Sequence, residues 1–205
     1  MVNNEGGFID QNNAVVSDCH FQTANWLYLK PGDIVLCQTG NEWGVFKPLF
    51  EYLVGEWGHA MIYAFDMKNF LSQDIPWFVE ARPKKGVSIV SGRNYQGYHI
   101  AVFRVKGYPE LGILAADEAE KRASDPETLY DFHGILLCIL KLFGKKLGRK
   151  IQAWKPNKWV ICSELVAECY STIGLNLELG SGIPLPGDFY TCPQLEKVFE
   201  GELII

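Results

Sequence analysis

The sequence predicts an α+β domain built on a mainly antiparallel sheet, and three observations carry the prediction. Short β-branched or alternating runs crowd between residues 29 and 106, helical periodicity takes over from residue 109, and a second helical stripe starts at residue 162. Strands grouped ahead of helices, rather than alternating with them, favour an antiparallel sheet with helices laid against it. The chain has 205 residues, 48% of them hydrophobic, 13% aromatic and 21% charged. That is enough for one domain with a substantial core, and it is not the composition of a disordered chain.

The first 26 residues are polar and hold no apolar run of the kind a secretory signal needs. They are set apart as a leader, 1–26, ahead of a single domain, 27–205. "LKPGDIVLCQ" is a turn (Pro31, Gly32, Asp33) feeding a β-branched run, so a strand starts there. "VFKPLFEYLVG" has helical spacing interrupted by Pro48 and predicts a short helix. "GHAMIYAF" alternates, with His59, Met61, Tyr63 and Phe65 on one face and Ala60, Ile62 and Ala64 on the other. "PWFVEA", "GVSIVSG" and "YHIAVFRVK" continue the strand series. Helical texture then fills a segment inserted at about 109–150, a third helix follows Cys162, and "CPQLEKVFE" predicts a short closing helix.

The formal charge of −5 argues against non-specific nucleic-acid binding, which needs a basic face. Lys145, Lys146, Arg149 and Lys150 form one basic cluster, read as a solvated helix end. Six scattered cysteines include no C-x-x-C pair, so neither a zinc site nor a disulfide framework is expected, and the setting reads as reducing and cytoplasmic. No run reaches the roughly 20 apolar residues of a membrane span. The amphipathic "GILLCILKLFGKKLGRK" reads as a core helix, with peripheral membrane contact as the lesser alternative.

Cys162 lies where an apolar strand-like run meets a helical stripe formed by Leu165, Val166, Cys169 and Ile173, with Glu164 in the first turn. A thiol there gains from the helix N-terminus, which favours the thiolate. Taken alone, a cysteine beside a helix is more often a structural core side chain. Cys169 belongs to the stripe itself, and Ser163 reads as a helix cap.

A nucleophilic thiolate needs a base, and the chain holds four histidines: His20, His59, His99 and His133. His59 follows Gly58 and opens the best-alternating strand, so it would be held rigidly. If "GHAMIYAF" and "PWFVEA" form an antiparallel pair, Glu80 falls nearly opposite His59 and could orient its ring. Glu80 also interrupts an apolar strand. It is either a buried carboxylate with a partner or an edge residue facing water.

These segments, in the order "LKPGDIVL", "GHAMIY", "FVEA" followed by "GV", and "CSELV", resemble the circularly permuted branch of the NlpC-type, papain-like cysteine peptidases and amidases, which includes the YiiX-like proteins. The resemblance covers roughly residues 27 to 200. It implies a papain-like α+β fold whose antiparallel sheet packs on the cysteine helix, with Cys162 as nucleophile, His59 as base and Glu80 as orienter, and no cofactor. Many relatives carry Ser or Thr where this chain has Gly58.

The implied activity is hydrolysis of an amide bond in a small peptide, such as a peptidoglycan-derived fragment inside the cell, or in an N-acylated small molecule. Trp43, Trp57, Tyr63 and Trp77 suggest a partly apolar pocket, though core packing explains most of them. Two rival expectations stand. One is a lipid acyltransferase or hydrolase of lecithin–retinol acyltransferase type, with 134–150 facing the membrane. The other is a non-catalytic binding module on the same scaffold, expected if the three side chains do not converge.

Overall fold

A computed structural model describes residues 25–38, 55–68, 74–82, 85–125, 129–130, 159–180 and 183–205. The short helix expected at 45–55, Trp43, His20, His133, the basic cluster and the amphipathic segment 134–150 lie outside the described residues.

The fold is α+β. Six strands form one antiparallel sheet: β1 (Ile34–Gln38), β2 (Trp57–Lys68), β3 (Asp74–Arg82), β4 (Gly86–Ser91), β5 (His99–Val105) and β8 (Leu195–Glu202), in the spatial order β4-β3-β2-β1-β5-β8. Two helices, α1 (Pro109–Ser124) and α2 (Cys162–Thr172), pack on one face. The two-residue strands β6 (Leu129–Tyr130) and β7 (Trp159–Val160) pair in parallel beside the sheet.

Side-chain alternation divides the core in two. Ile34, Leu36, Ala60, Ile62, Val79, Ala81, Ala101 and Phe103 face the helices and meet Leu165, Val166, Cys169 and Ala115. Val35, Cys37, Met61, Tyr63, Phe78, Ile100 and Val102 face the other way and meet Trp26, Tyr95 and Leu203. The contacts of α1 are made by small residues: Ala115, Ala116 and Ala119 are buried. Pro109 opens α1 with its φ already helical and no N–H to leave unsatisfied.

The closest approach of α1 is at the 30–33 turn. A Cβ on Gly32 would stand 2.1 Å from the Gly112 carbonyl oxygen, and Gly32 has φ +88°. The turn is further held by the Asp33 carboxylate, which accepts from the Lys30 N–H at 2.8 Å. Arg104 of β5 grips the same carboxylate with two hydrogen bonds, of 2.7 and 2.6 Å. From α2, the Tyr170 hydroxyl donates to the Gly32 carbonyl at 2.5 Å.

Several expectations are corrected. "CPQLEKVFE" is not a closing helix. Pro186–Thr191 forms a 3-10 turn, and from Leu195 the chain becomes β8, pairing with β5. Leu195 packs into the helix-side cluster while Val198 and Phe199 pack into the other, so the segment carries no clean alternation, and pairing with β5 outweighs the helical propensity of Gln194, Glu196 and Lys197. The leader boundary moves as well. Trp26 is buried, and Asn25 exchanges hydrogen bonds with Ile204, so both belong to the domain. The expected helical insertion is helical over Pro109–Ser124, but Leu129–Tyr130 is strand. Phe65 does not share the His59 face: a bulge between Tyr63 and Phe65 turns it toward the helix side.

Candidate active site

His59 lies near the start of β2, on the face away from the helices. Gln38 pairs with Trp57 and Cys37 with His59, leaving Gly58 as the extra residue of a bulge. Glu80 lies near the end of β3 on the same face. The two are not directly opposite. The β2–β3 register, continued from Ile62↔Val79, would set Glu80 beside Met61 and His59 beside Arg82. The bulge between Tyr63 and Phe65 cuts this offset from three residues to two, and a shift of two residues keeps both side chains on one face. The contact is therefore diagonal, and both side chains span it: His59 Nε2 and Glu80 Oε2 are 2.7 Å apart.

Cys162 reaches this pair from the other face through a split in the sheet. The Tyr63 N–H donates to the Asp33 carbonyl, so odd residues of β2 bond to β1 and even ones turn toward β3. The β2–β3 ladder, however, ends at Ile62↔Val79. Ala60 thus presents its N–H where no ladder partner follows, and that N–H donates to the Cys162 sulfur instead, as does the Ser163 N–H. The His59 side chain is also hydrogen-bonded to the sulfur. With Nε2 on Glu80, Nδ1 is the ring nitrogen left for Cys162.

Helix α2 begins at Cys162, after Ile161 as N-cap. The Glu164 carboxylate reaches back to accept from the Ile161 N–H at 3.1 Å, which is half of a capping box. Ser163 is not the cap. Its hydroxyl donates to the Pro184 carbonyl at 2.6 Å and ties the helix start to the loop ahead of β8.

The electrostatics favour a thiolate–imidazolium pair. Burial alone would lower the pKa of His59, but the Cys162 thiolate and the Glu80 carboxylate together raise it to about 10. Burial would raise that of Cys162, and the imidazolium with the two backbone donors outweighs it and lowers it. Burial likewise works against the Glu80 anion. Its bonds to His59, Tyr95 and Arg82 prevail and hold its pKa below the usual carboxylate value. Glu80 is 1% exposed, so the edge-strand alternative for this residue is set aside. His59 is 17% exposed and Cys162 is buried at 8%.

Two residues at the site carried no signal noted in the sequence. The Tyr95 hydroxyl donates to Glu80 Oε2. Arg82 Nε donates to Glu80 Oε1 at 2.8 Å, and its Nη2 donates to the Tyr95 oxygen at 2.7 Å. The i, i+2 spacing of Glu80 and Arg82 on one strand would have revealed the second. Tyr95, in a 3-10 turn after β4, had no periodicity to mark it.

The remaining sequence candidates fall elsewhere. Cys169 is fully buried on the sheet-facing side of α2, and burial pushes its thiol up to about 12. His99 stacks on Trp57 at 5.9 Å, with Tyr190 against the same indole at 6.1 Å. Tyr63 packs edge-on to Phe78 in the core, and the half-buried Trp77 stacks on Phe65. The four described cysteines form no disulfide. Among the described residues, no cluster of His, Cys, Asp and Glu could hold a metal ion, and no helix is long and apolar enough to cross a membrane.

Neither the known protein-family models nor the curated proteins contain a match to this chain.

Proposed function

We propose that the protein is a cysteine hydrolase of amide bonds with a circularly permuted, NlpC-type papain-like architecture. The observation that carries the reading is the convergence of Cys162, His59 and Glu80 at one split in the sheet, with the sulfur at the first turn of α2. A binding module has no use for a buried carboxylate, an imidazole and a thiol arranged in series.

In the proposed reaction the Cys162 thiolate attacks the amide carbonyl carbon, forming a C–S bond and an oxyanion. The Cys162 backbone N–H, at the helix N-terminus, is suited to receive that oxyanion. The His59 Nδ1–H protonates the departing nitrogen as the C–N bond breaks. Water then attacks the thioester while neutral His59 takes its proton, the C–S bond breaks, and the acid leaves with the ion pair restored. Glu80 stays ionised throughout, holding the tautomer and stabilising the imidazolium. Small peptides and N-acylated small molecules are the substrates this chemistry serves.

The deciding experiment is the rate of Cys162 alkylation by iodoacetamide against pH, in wild type and His59→Ala, with labelled sites read by mass spectrometry. Fast labelling well below the ordinary thiol range, lost in the variant, supports the pair and opens a screen of amide substrates. Labelling that rises only near pH ~8.5 in both proteins refutes it.

A further inference from the structure

We infer that Tyr95, braced by Arg82, is a positioning residue of this site, fixing Glu80 and the His59 ring in the arrangement that turns Nδ1 toward Cys162. The inference rests on the hydrolase reading above and adds to it the residues that make the triad rigid.

The need for such a residue follows from the split. Beyond Ile62↔Val79 no ladder bonds couple β2 to β3, so the spacing of His59 from Glu80 is left to side chains. A carboxylate reached by one donor could rotate about its side-chain bonds. Glu80 has three: His59 and Tyr95 on Oε2, and Arg82 on Oε1. The Tyr95 ring does a second thing. It lies nearly parallel to the His59 ring, 10° from coplanar with centroids 6.3 Å apart, and so opposes rotation of the imidazole out of its plane.

Tyr95 is itself held on every side. It is 2% exposed, edge-on to Phe78 and Tyr98, with the Arg82 guanidinium 5.4 Å from its ring centre. The turn that carries it, Gly92–Tyr95, is seated against β3. A Cβ on Gly92 would come within 2.5 Å of the Pro76 ring, so only glycine lets the turn approach this closely.

The plainer account is that Tyr95 is a core side chain whose hydroxyl found a convenient acceptor. The two accounts differ in what losing the hydroxyl does. If it only supports the core, its loss lowers stability and leaves the ionisation of Cys162 alone. If it positions the triad, His59 spends part of its time misdirected and the thiolate loses part of its counter-charge.

The test measures Cys162 alkylation by iodoacetamide against pH in wild type, Tyr95→Phe, Arg82→Lys and His59→Ala, with thermal unfolding followed in parallel. In Tyr95→Phe the labelling midpoint is expected to move up by about one pH unit, toward that of His59→Ala. Up to about a tenfold loss of rate at neutral pH follows, the scale of one charge-assisted hydrogen bond. Arg82→Lys keeps the charge but loses the fork, and is expected to shift the same way by less. Arg82 is half-buried at the strand end, so that variant carries the test if Tyr95→Phe does not fold. Profiles of both variants that superimpose on wild type overturn the inference, whatever happens to the unfolding temperature. A wild-type profile already like that of a free thiol is a different failure: it removes the hydrolase reading itself.

Discussion

The backbone N–H of Ala60 donates to the sulfur of Cys162 at the point where β2 and β3 part. A strand that ends its pairing one step early thus supplies a donor to a helix on the sheet's far face. Because the donors are main-chain groups, Cys162→Ser should keep the fold while losing the proposed nucleophile. An unfolding temperature within a few degrees of wild type, together with loss of any amide hydrolysis found for the parent by at least about 10²-fold, is the expected result. Circular dichroism melts and an end-point assay check it.

Glu80 is the most heavily used side chain at the site. Glu80→Ala leaves a buried tyrosine hydroxyl without its acceptor, and an arginine and a histidine without their counter-ion. A loss of roughly 2–4 kcal/mol of stability is expected, read by urea denaturation. Its folded pKa is depressed, so the stability it contributes is present above the unfolded value of 4.5 and is lost as pH falls through the folded one. Wild type should therefore lose more stability on acidification than Glu80→Gln does.

The Cys162–His59 pair has an opposite-signed dependence in each partner. His59, raised to about 10, contributes stability that is complete below 6.5 and fades as pH climbs to 10. Cys162, depressed, contributes stability that is lost as pH falls through its folded value and grows as pH rises to 9.0. Between 6.5 and 9.0 the folded ion pair and the unfolded neutral pair hold the same number of protons, and the two slopes cancel. The pair's contribution is therefore expected to be flat in that interval and to fall between 9.0 and about 10 as His59 gives up its proton. Subtracting the unfolding free energies of a Cys162→Ala, His59→Ala double variant across the same range isolates that contribution. A steady slope between 6.5 and 9.0 would count against the ion pair.

Thiol selectivity gives a further check. Cys169 is fully buried, with its pKa pushed up to about 12, while that of Cys162 is lowered. Native protein at neutral pH should label at Cys162 well before Cys169, which should react at a comparable rate only after denaturation. Peptide mapping by mass spectrometry gives both rates in one experiment.

Two glycines with similar backbone angles separate strain from crowding. Gly32 (φ +88°) would drive a Cβ to 2.1 Å from the Gly112 oxygen, whereas Gly174 (φ +93°) has nothing within 4 Å. Gly174→Ala should cost about 1–2 kcal/mol, from the left-handed conformation alone. Gly32→Ala should cost that and more, because α1 must lift from the 30–33 turn. Parallel denaturant titrations of the two variants test the difference.

Much of this was legible in the sequence because the first half of β2 alternates cleanly. Ala60 and Ile62 pack on one face and Met61 and Tyr63 on the other, as their period placed them, and His59, Glu80 and Cys162 stand out in the sequence by their chemistry. What escaped has physical reasons. Bulges at Gly58 and beside Ala64 break the period by one residue, which no alternation pattern announces. The strand β8 reads as a helix locally because its Glu and Lys residues favour helix, and only pairing with β5 overrides them. Arg104 and Tyr95 are far in sequence from the carboxylates they serve, and long-range partners of that kind leave no local mark.

The exchange of hydrogen bonds between Asn25 and Ile204 has a topological consequence. The two outermost parts of the described chain are clasped together, with the Asn25 amide donating to the Glu202 carbonyl at 2.6 Å and its side-chain oxygen accepting from the Ile204 N–H at 3.0 Å. In space the fold is close to a ring, and which residue comes first is almost arbitrary. A short linker joining residue 205 to residue 25, with the chain reopened at an exposed turn such as that around Gly107, would put the cysteine ahead of the histidine without moving either. Such a rearranged chain is expected to label at its Cys162 equivalent with the parent's pH profile. The order of the reacting groups along the chain would then be a matter of where the ring is cut.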